Sequence, residues 1–235
     1  MRSVLISILT LTLCLSAQGA CAGLITLDPT TTGSIRQQET CGRPGCFALQ
    51  YSSTNPLNDL GFWFIYNIGS STVNSSVGYL LFDLSGMIET AYSATLELDL
   101  RYATNANPGL KIGALDATIA ADLSSNPVGT QYGAIDLSTS PITIPALYSQ
   151  LAGQYFAISS GTELGMLSQS GPLDGLYSVS LSNSALDSIN ATSGLFGLGL
   201  TWTANTGNQF PNGADLLSFN GPPRLVLGHT DVPLP

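Results

Sequence analysis

Charge is what this chain has least of. Lys, Arg, Asp and Glu make up 9% of its 235 residues, against about a quarter in an ordinary soluble domain. Only six residues are basic, the formal net charge is −9 and the pI is near 4.1. No Lys/Arg cluster relieves that balance, and such a surface repels a phosphate backbone, so no nucleic-acid partner is expected.

Histidine is scarcer still. His229 is the only one, and no G-x-S-x-G elbow occurs anywhere in the chain. A Ser/His/Asp hydrolase would have to rely on a histidine just past the last expected strand, which reads instead as an exposed residue of the tail. The composition is not that of a disordered chain either, because 44% of the residues are hydrophobic.

Apolar runs long enough to span a bilayer are also missing. The N-terminal one, Val4 to Leu15, is too short for a permanent membrane helix. With Arg2 before it and Ala20-Cys21-Ala22 after it, residues 1–22 read as a secretory signal cut after Ala22. The rival reading is a lipoprotein signal acylated at Cys21, against which Gln18 stands where such a signal wants leucine. Either way the mature protein is expected outside the cytoplasm, secreted or at the cell surface.

Signal removal takes away Cys14 and Arg2. Arg36, Arg43, Arg101, Lys111 and Arg224 then face the fifteen acidic residues, a net charge of −10. With Cys21 gone as well, Cys41 and Cys46 are the cysteines left, spaced as Cys41-Gly-Arg-Pro-Gly-Cys46. In an oxidising compartment that spacing predicts a local disulfide clipping a loop. Zinc would need two more ligands than the mature chain supplies.

What the chain does have is alternation. In Leu96-Glu-Leu-Asp-Leu-Arg101 the leucines fall on one face of a strand and the charges on the other. Tyr79 to Leu84 is a second strand, closed by the turn Ser85-Gly86. Further strands are expected at Leu24–Leu27, around Thr32–Gln37, and at Phe47–Tyr51, Phe62–Tyr66, Leu110–Leu115, Ile135–Leu137 and Ile142–Ile144. Others follow at Leu176–Leu181, Leu195–Thr203, Leu216–Phe219 and Arg224–Leu227. In Leu195–Thr203 the residues Leu198, Leu200 and Trp202 share one face, and Gly197, Gly199, Thr201 and Thr203 the other.

Ala117–Leu123 reads as strand or a single helical turn, Ala146–Ala152 as a turn of helix under Pro145, and Ser182–Ile189 as a short helix or loop capped by Asn183. Asn67–Val77 reads as a loop. Strands at this spacing, with little helix, predict an all-β fold: a single jelly-roll-like antiparallel sandwich of about ten strands. It would fill residues 23–230, with 231–235 as a C-terminal tail.

Three stretches carry a family resemblance. They are Asn55-Pro-Leu-Asn-Asp-Leu-Gly61, then Gly78-Tyr-Leu-Leu-Phe-Asp-Leu-Ser85 with Ser93-Ala-Thr-Leu-Glu-Leu98, and Pro222-Pro-Arg-Leu-Val-Leu227. Together they resemble the DNRLRE-type domain, an extracellular jelly-roll module related to carbohydrate-binding modules. The resemblance implies a sandwich tied to surface polysaccharide or cell-wall biology, without catalysis of its own. Asp83 is expected to point away from the buried side. Asp231-Val-Pro-Leu-Pro235 is similar to the start of the PEP-CTERM sorting signal of bacteria that make exopolysaccharide; its other reading is a frayed terminus.

Carbohydrate binding needs aromatic rings for the apolar faces of sugars. Trp63, Tyr66, Tyr102, Tyr132 and Tyr148 are the candidates, although Trp63 also reads as core and Trp202 more so. Glu97 and Asp99, two residues apart on one strand face, sit too close to straddle a sugar ring as a glycosidase pair, and read as a solvated face with Arg101. No cofactor is expected. A calcium ion would draw on Asn58, Asp59 or Asp215, which lack a D-x-D-x-D spacing. The sequons at Asn74 and Asn190 matter only in a eukaryotic source.

The sequence therefore predicts an exported, non-catalytic β-sandwich associated with the bacterial surface or its exopolysaccharide, with polysaccharide as partner. The alternative is a structural or adhesive matrix protein with no small ligand; a polysaccharide-acting enzyme comes third.

Overall fold

Leu96, Leu98 and Leu100 are fully buried, while Thr95, Glu97 and Asp99 between them stay partly exposed on the other face. A period of two dictates this outcome, and the rest of the sandwich is laid on the buried side. The computed structural model describes residues 22–38, 47–53, 74–102, 108–125, 144–168, 174–204 and 217–230.

The strands are β1 (Ala22–Leu27), β2 (Thr31–Gln38), β3 (Phe47–Ser53), β4 (Asn74–Asp83), β5 (Ala91–Tyr102) and β6 (Pro108–Leu115). They continue as β7 (Glu163–Ser168), β8 (Gly175–Ser180), β9 (Leu195–Ala204), β10 (Leu217–Phe219) and β11 (Arg224–Thr230). The helices are α1 (Ala117–Ser125), α2 (Ile144–Ser160) and α3 (Asn183–Ala191).

Sheet A runs β1-β11-β5, with β8 on the far edge of β5 and β10 beside β11 on its near edge. Sheet B runs β3-β2-β4-β9-β6-β7. Every pairing is antiparallel, and four of them nest: β1 with β11, β4 with β9, β5 with β8, β6 with β7. A long hairpin rolled into two sheets has that connectivity, which is the jelly roll the sequence predicts. The β2–β3 hairpin widens sheet B beyond it.

β10 and β11 lie end to end along β5. Phe219 pairs with Leu100 and Arg224 with Glu97, so the chain carries two more residues than β5 does over the same span. Pro222 and Pro223 have no N–H for the ladder, and the chain bulges there. Asn220 holds the bulge: its Nδ2 donates to Asp99 Oδ1 at 3.2 Å and to Leu100 O at 3.3 Å.

Between the sheets lies the main core, where Leu80, Phe82, Leu96, Leu98, Leu110, Ile112, Leu198 and Leu200 are fully buried. Sheet B is buried on its outer face too. Ile35, Val77, Tyr79 and Leu81 pack there against Ala120 and Leu123 of α1 and Tyr155 and Ile158 of α2. This is why β4 reads as an unbroken apolar run rather than an alternation. The glycine face of β9 has the same explanation. A Cβ at Gly199 would lie 3.0 Å from Ile158 Cγ2 and 3.1 Å from Ile158 O, so only glycine lets α2 approach so closely. Lys111, opposite Thr201 on the neighbouring strand, donates its Nζ to Ser159 O at 2.8 Å and Gly161 O at 3.1 Å. A cation thereby satisfies the carbonyl end of α2.

Several expectations change. Ala117–Ser125 is a helix, with Asp116 at its N-cap accepting the Thr118 N–H at 2.8 Å and the Thr118 hydroxyl. α2 is 17 residues long and absorbs both the predicted turn at Ala146–Ala152 and the apolar Tyr155–Ile158. Sheet B's outer face needs covering, and that demand extends a weak helical signal. β4 begins at Asn74, within the predicted loop. The edge strand β7 is not among the expected strands; Gly165 and a register shift opposite Ile112 and Gly113 hide its alternation. Ser182, rather than Asn183, occupies the N-cap of α3. His229 is no tail residue: it lies inside β11, 8% exposed, and Gly23 faces its ring so closely that a Cβ there would sit 2.4 Å from Nε2.

Asp83 is exposed between Phe82 and Leu84, as expected. Its Oδ1 accepts the Ser85 N–H at 2.9 Å, and this backbone bond, with the Ser85 hydroxyl, holds its carboxyl below the ordinary value. At Asp116 the Thr118 hydroxyl and then its N–H do the same.

Two outcomes follow from these contacts. Gly199→Val should lower the unfolding free energy by about 1–3 kcal/mol, read from the urea midpoint, because the new side chain drives α2 off the sheet. A carboxylate whose folded pKa is depressed adds stability above its unfolded pKa and loses it as pH falls through the folded one. Stability should therefore drop as pH falls below about 4, and the drop should be shallower in an Asp83→Asn/Asp116→Asn variant; parallel acid curves would contradict this.

Candidate functional site: the outer face of sheet A

The two outer faces differ. That of sheet B lies under α1 and α2, whereas Leu24, Tyr92 and Leu176 on sheet A are 74%, 51% and 69% exposed. Sheet A therefore offers an open strand surface, and its register fixes what stands beside what.

One row crosses the sheet as Thr26, Val226, Thr95 and Ser180. The next holds Arg224, Glu97 and Ser178, with Arg224 Nε 3.5 Å from Asp28 Oδ1. Both partners of that ion pair are more than half exposed, so it contributes little to stability. A third row pairs Asp99 with Leu176, and a fourth holds Leu24, Gly228 and Ser93. Five hydroxyls, Thr26, Ser93, Thr95, Ser178 and Ser180, share the face with charged Asp28, Glu97, Asp99 and Arg224 toward one end.

Tyr92 enters this face through a fault in the ladder. Gly228 pairs with Ser93 and His229 with Ala91, which leaves Tyr92 as the extra residue of a β-bulge. Strict alternation would put Tyr92 on the buried side with Ala94 and Leu96. The bulge reverses that. Its ring lies over Gly228: a Cβ there would be 3.0 Å from both Cε2 and Cζ, and 2.3 Å from Ser93 Oγ.

The bulge is held from the other edge by Asn190. Its Oδ1 accepts the Ala91 N–H and its Nδ2 donates to Ala91 O, both at 2.9 Å. One side chain thus replaces a ladder residue where β8 has ended, and ties α3 to the start of β5. The amide nitrogen of that sequon is already engaged.

Of the rings singled out in the sequence, Tyr102 ends β5 in sheet A and Tyr148 lies on α2 over sheet B, in different layers. Trp63, Tyr66 and Tyr132 lie outside the described residues, as do Asn58, Asp59, Asp215, Cys41 and Cys46. Among the described residues no three His, Cys, Asp or Glu side chains gather as metal ligands. No helix among them is long and apolar enough to cross a membrane. Glu97 and Asp99 share one face two residues apart, with Asp99 bonded to Asn220.

Neither a family model nor a curated protein matches the chain. Sequence reasoning missed Tyr92 because its parity points inward. The one available signal was Gly228, a glycine inside an otherwise bulky strand.

Asn190→Ala should lower the unfolding free energy by about 1–3 kcal/mol, since two backbone groups of Ala91 lose their partner. Amide exchange at Ala91 and Tyr92 should rise more than in the centre of β5; uniform exchange along β5 would contradict a local clamp.

Proposed function

We propose that this protein is an exported, non-catalytic jelly roll that binds surface or matrix polysaccharide through the outer face of sheet A. The observation that carries the reading is the asymmetry of the sandwich: one outer face is sealed by helices, the other is an open field of hydroxyls around an exposed ring. Hydroxyl-bearing ligands are recognised by such groups, with aromatic stacking for the apolar sugar faces. The resemblance to the DNRLRE-type domain and to a PEP-CTERM start points the same way.

The export reading fits the N-terminal strand. Cutting after Ala22 removes the Ala22–Thr230 pair and keeps the ladder from Gly23–His229 to Leu27–Leu225. A Cys41–Cys46 disulfide belongs to this proposal also. Gln37 pairs with Phe47, so residues 39–46 are the connection of the β2–β3 hairpin and the bond would close it.

The test is co-sedimentation of the mature protein with a panel of insoluble polysaccharides, with and without calcium. Retention on at least one polymer, without release of soluble sugar, is the expected result. No retention on any polymer would contradict the proposal and favour an adhesive protein with no small ligand. Release of sugar would favour an enzyme.

A further inference from the structure

The geometry points to Tyr92 as the stacking platform of a saccharide subsite, taking an uncharged pyranose unit of a polysaccharide laid on sheet A. This rests on the polysaccharide reading above and names the residue and ligand class for it.

The ring is pre-placed. The bulge turns it outward, Gly228 lets it lie against the strand beneath, and Asn190 fixes the backbone from the opposite edge. Half of its surface stays in solvent. An aromatic face carries the negative side of the ring quadrupole and suits the weakly positive C–H groups on one face of a pyranose. Ser93 beside it, with Thr95 and Thr26 one row along, offers hydroxyls to the sugar's rim. A ring held in its bound position loses little entropy on binding.

The same face fits a protein partner poorly. A stable interface buries about 800 Å² on each side around an apolar centre. Here Leu24 and Tyr92 stand together, but Leu176 lies on β8 opposite Asp99, six residues beyond Ser93 along β5 and about 20 Å away, with Glu97 between. Those carboxylates, on a chain of net negative charge, also disfavour a polyanion. A neutral sugar needs only the ring and its hydroxyl neighbours.

The test is affinity electrophoresis of the mature protein through native gels containing hydroxyethyl cellulose, galactomannan or dextran, with alginate as the polyanion. Wild type should be retarded by at least one neutral polymer. Tyr92→Ala should weaken that retardation at least about tenfold, whereas Tyr92→Phe and Leu176→Ala should hold near wild type, all with unchanged urea midpoints. Equal retardation of wild type and Tyr92→Ala would overturn the subsite and leave the polysaccharide reading standing. Retardation by alginate alone would overturn the uncharged ligand. No retardation by any polymer would overturn both.

Discussion

Sheet B is buried on both sides, and most of the molecule answers to that constraint. One face of β4 meets the leucines of β5 across the main core, while the other presents Val77, Tyr79 and Leu81 to α1 and α2. Each fully buried side chain of this kind is worth about 1.5–3 kcal/mol, far more than the exposed ion pair of Arg224 and Asp28. Gly199 of β9 gives α2 room, and Lys111 anchors its end. Between the helices, Gln150 and the buried Gln154 both donate to Asp122, so the covering layer is joined to itself as well as to the sheet.

With α1 and α2 committed to sheet B and α3 closing one end of the main core, no helix among the described residues covers the outer face of sheet A. Its outer residues must then be compatible with water, and the chain meets this with threonine and serine rather than with many charges. The same asymmetry gives the sandwich a working side.

The strands of strong period were legible. Leu96, Leu98 and Leu100 pointed inward as their alternation required, and Val179 and Leu181 faced the core opposite an exposed Leu176. The glycine face of β9 was visible in the sequence, but its purpose was not, because nothing local says that a helix will lie on it. Only a turn of α2 is legible in the sequence, because its covering role is a tertiary demand. His229 reads as a tail residue in the sequence because β11 runs three residues past its last leucine. Tyr92 was lost for a sharper reason: parity arguments assume an unbroken ladder, and a bulge inverts every conclusion at the residue it adds. No periodicity in the sequence places Trp63, Tyr66, Tyr102, Tyr132 and Tyr148 on a common face.

Sheet A turns an open side outward, and Tyr92 stands on it against its parity. Hydroxyl-radical footprinting of the mature protein with peptide-level mass spectrometry measures this directly. Tyr92, Leu24 and Leu176 should be oxidised far faster than Tyr79, Leu96 and Leu98. Protection of Tyr92 to the level of Tyr79 would contradict the account.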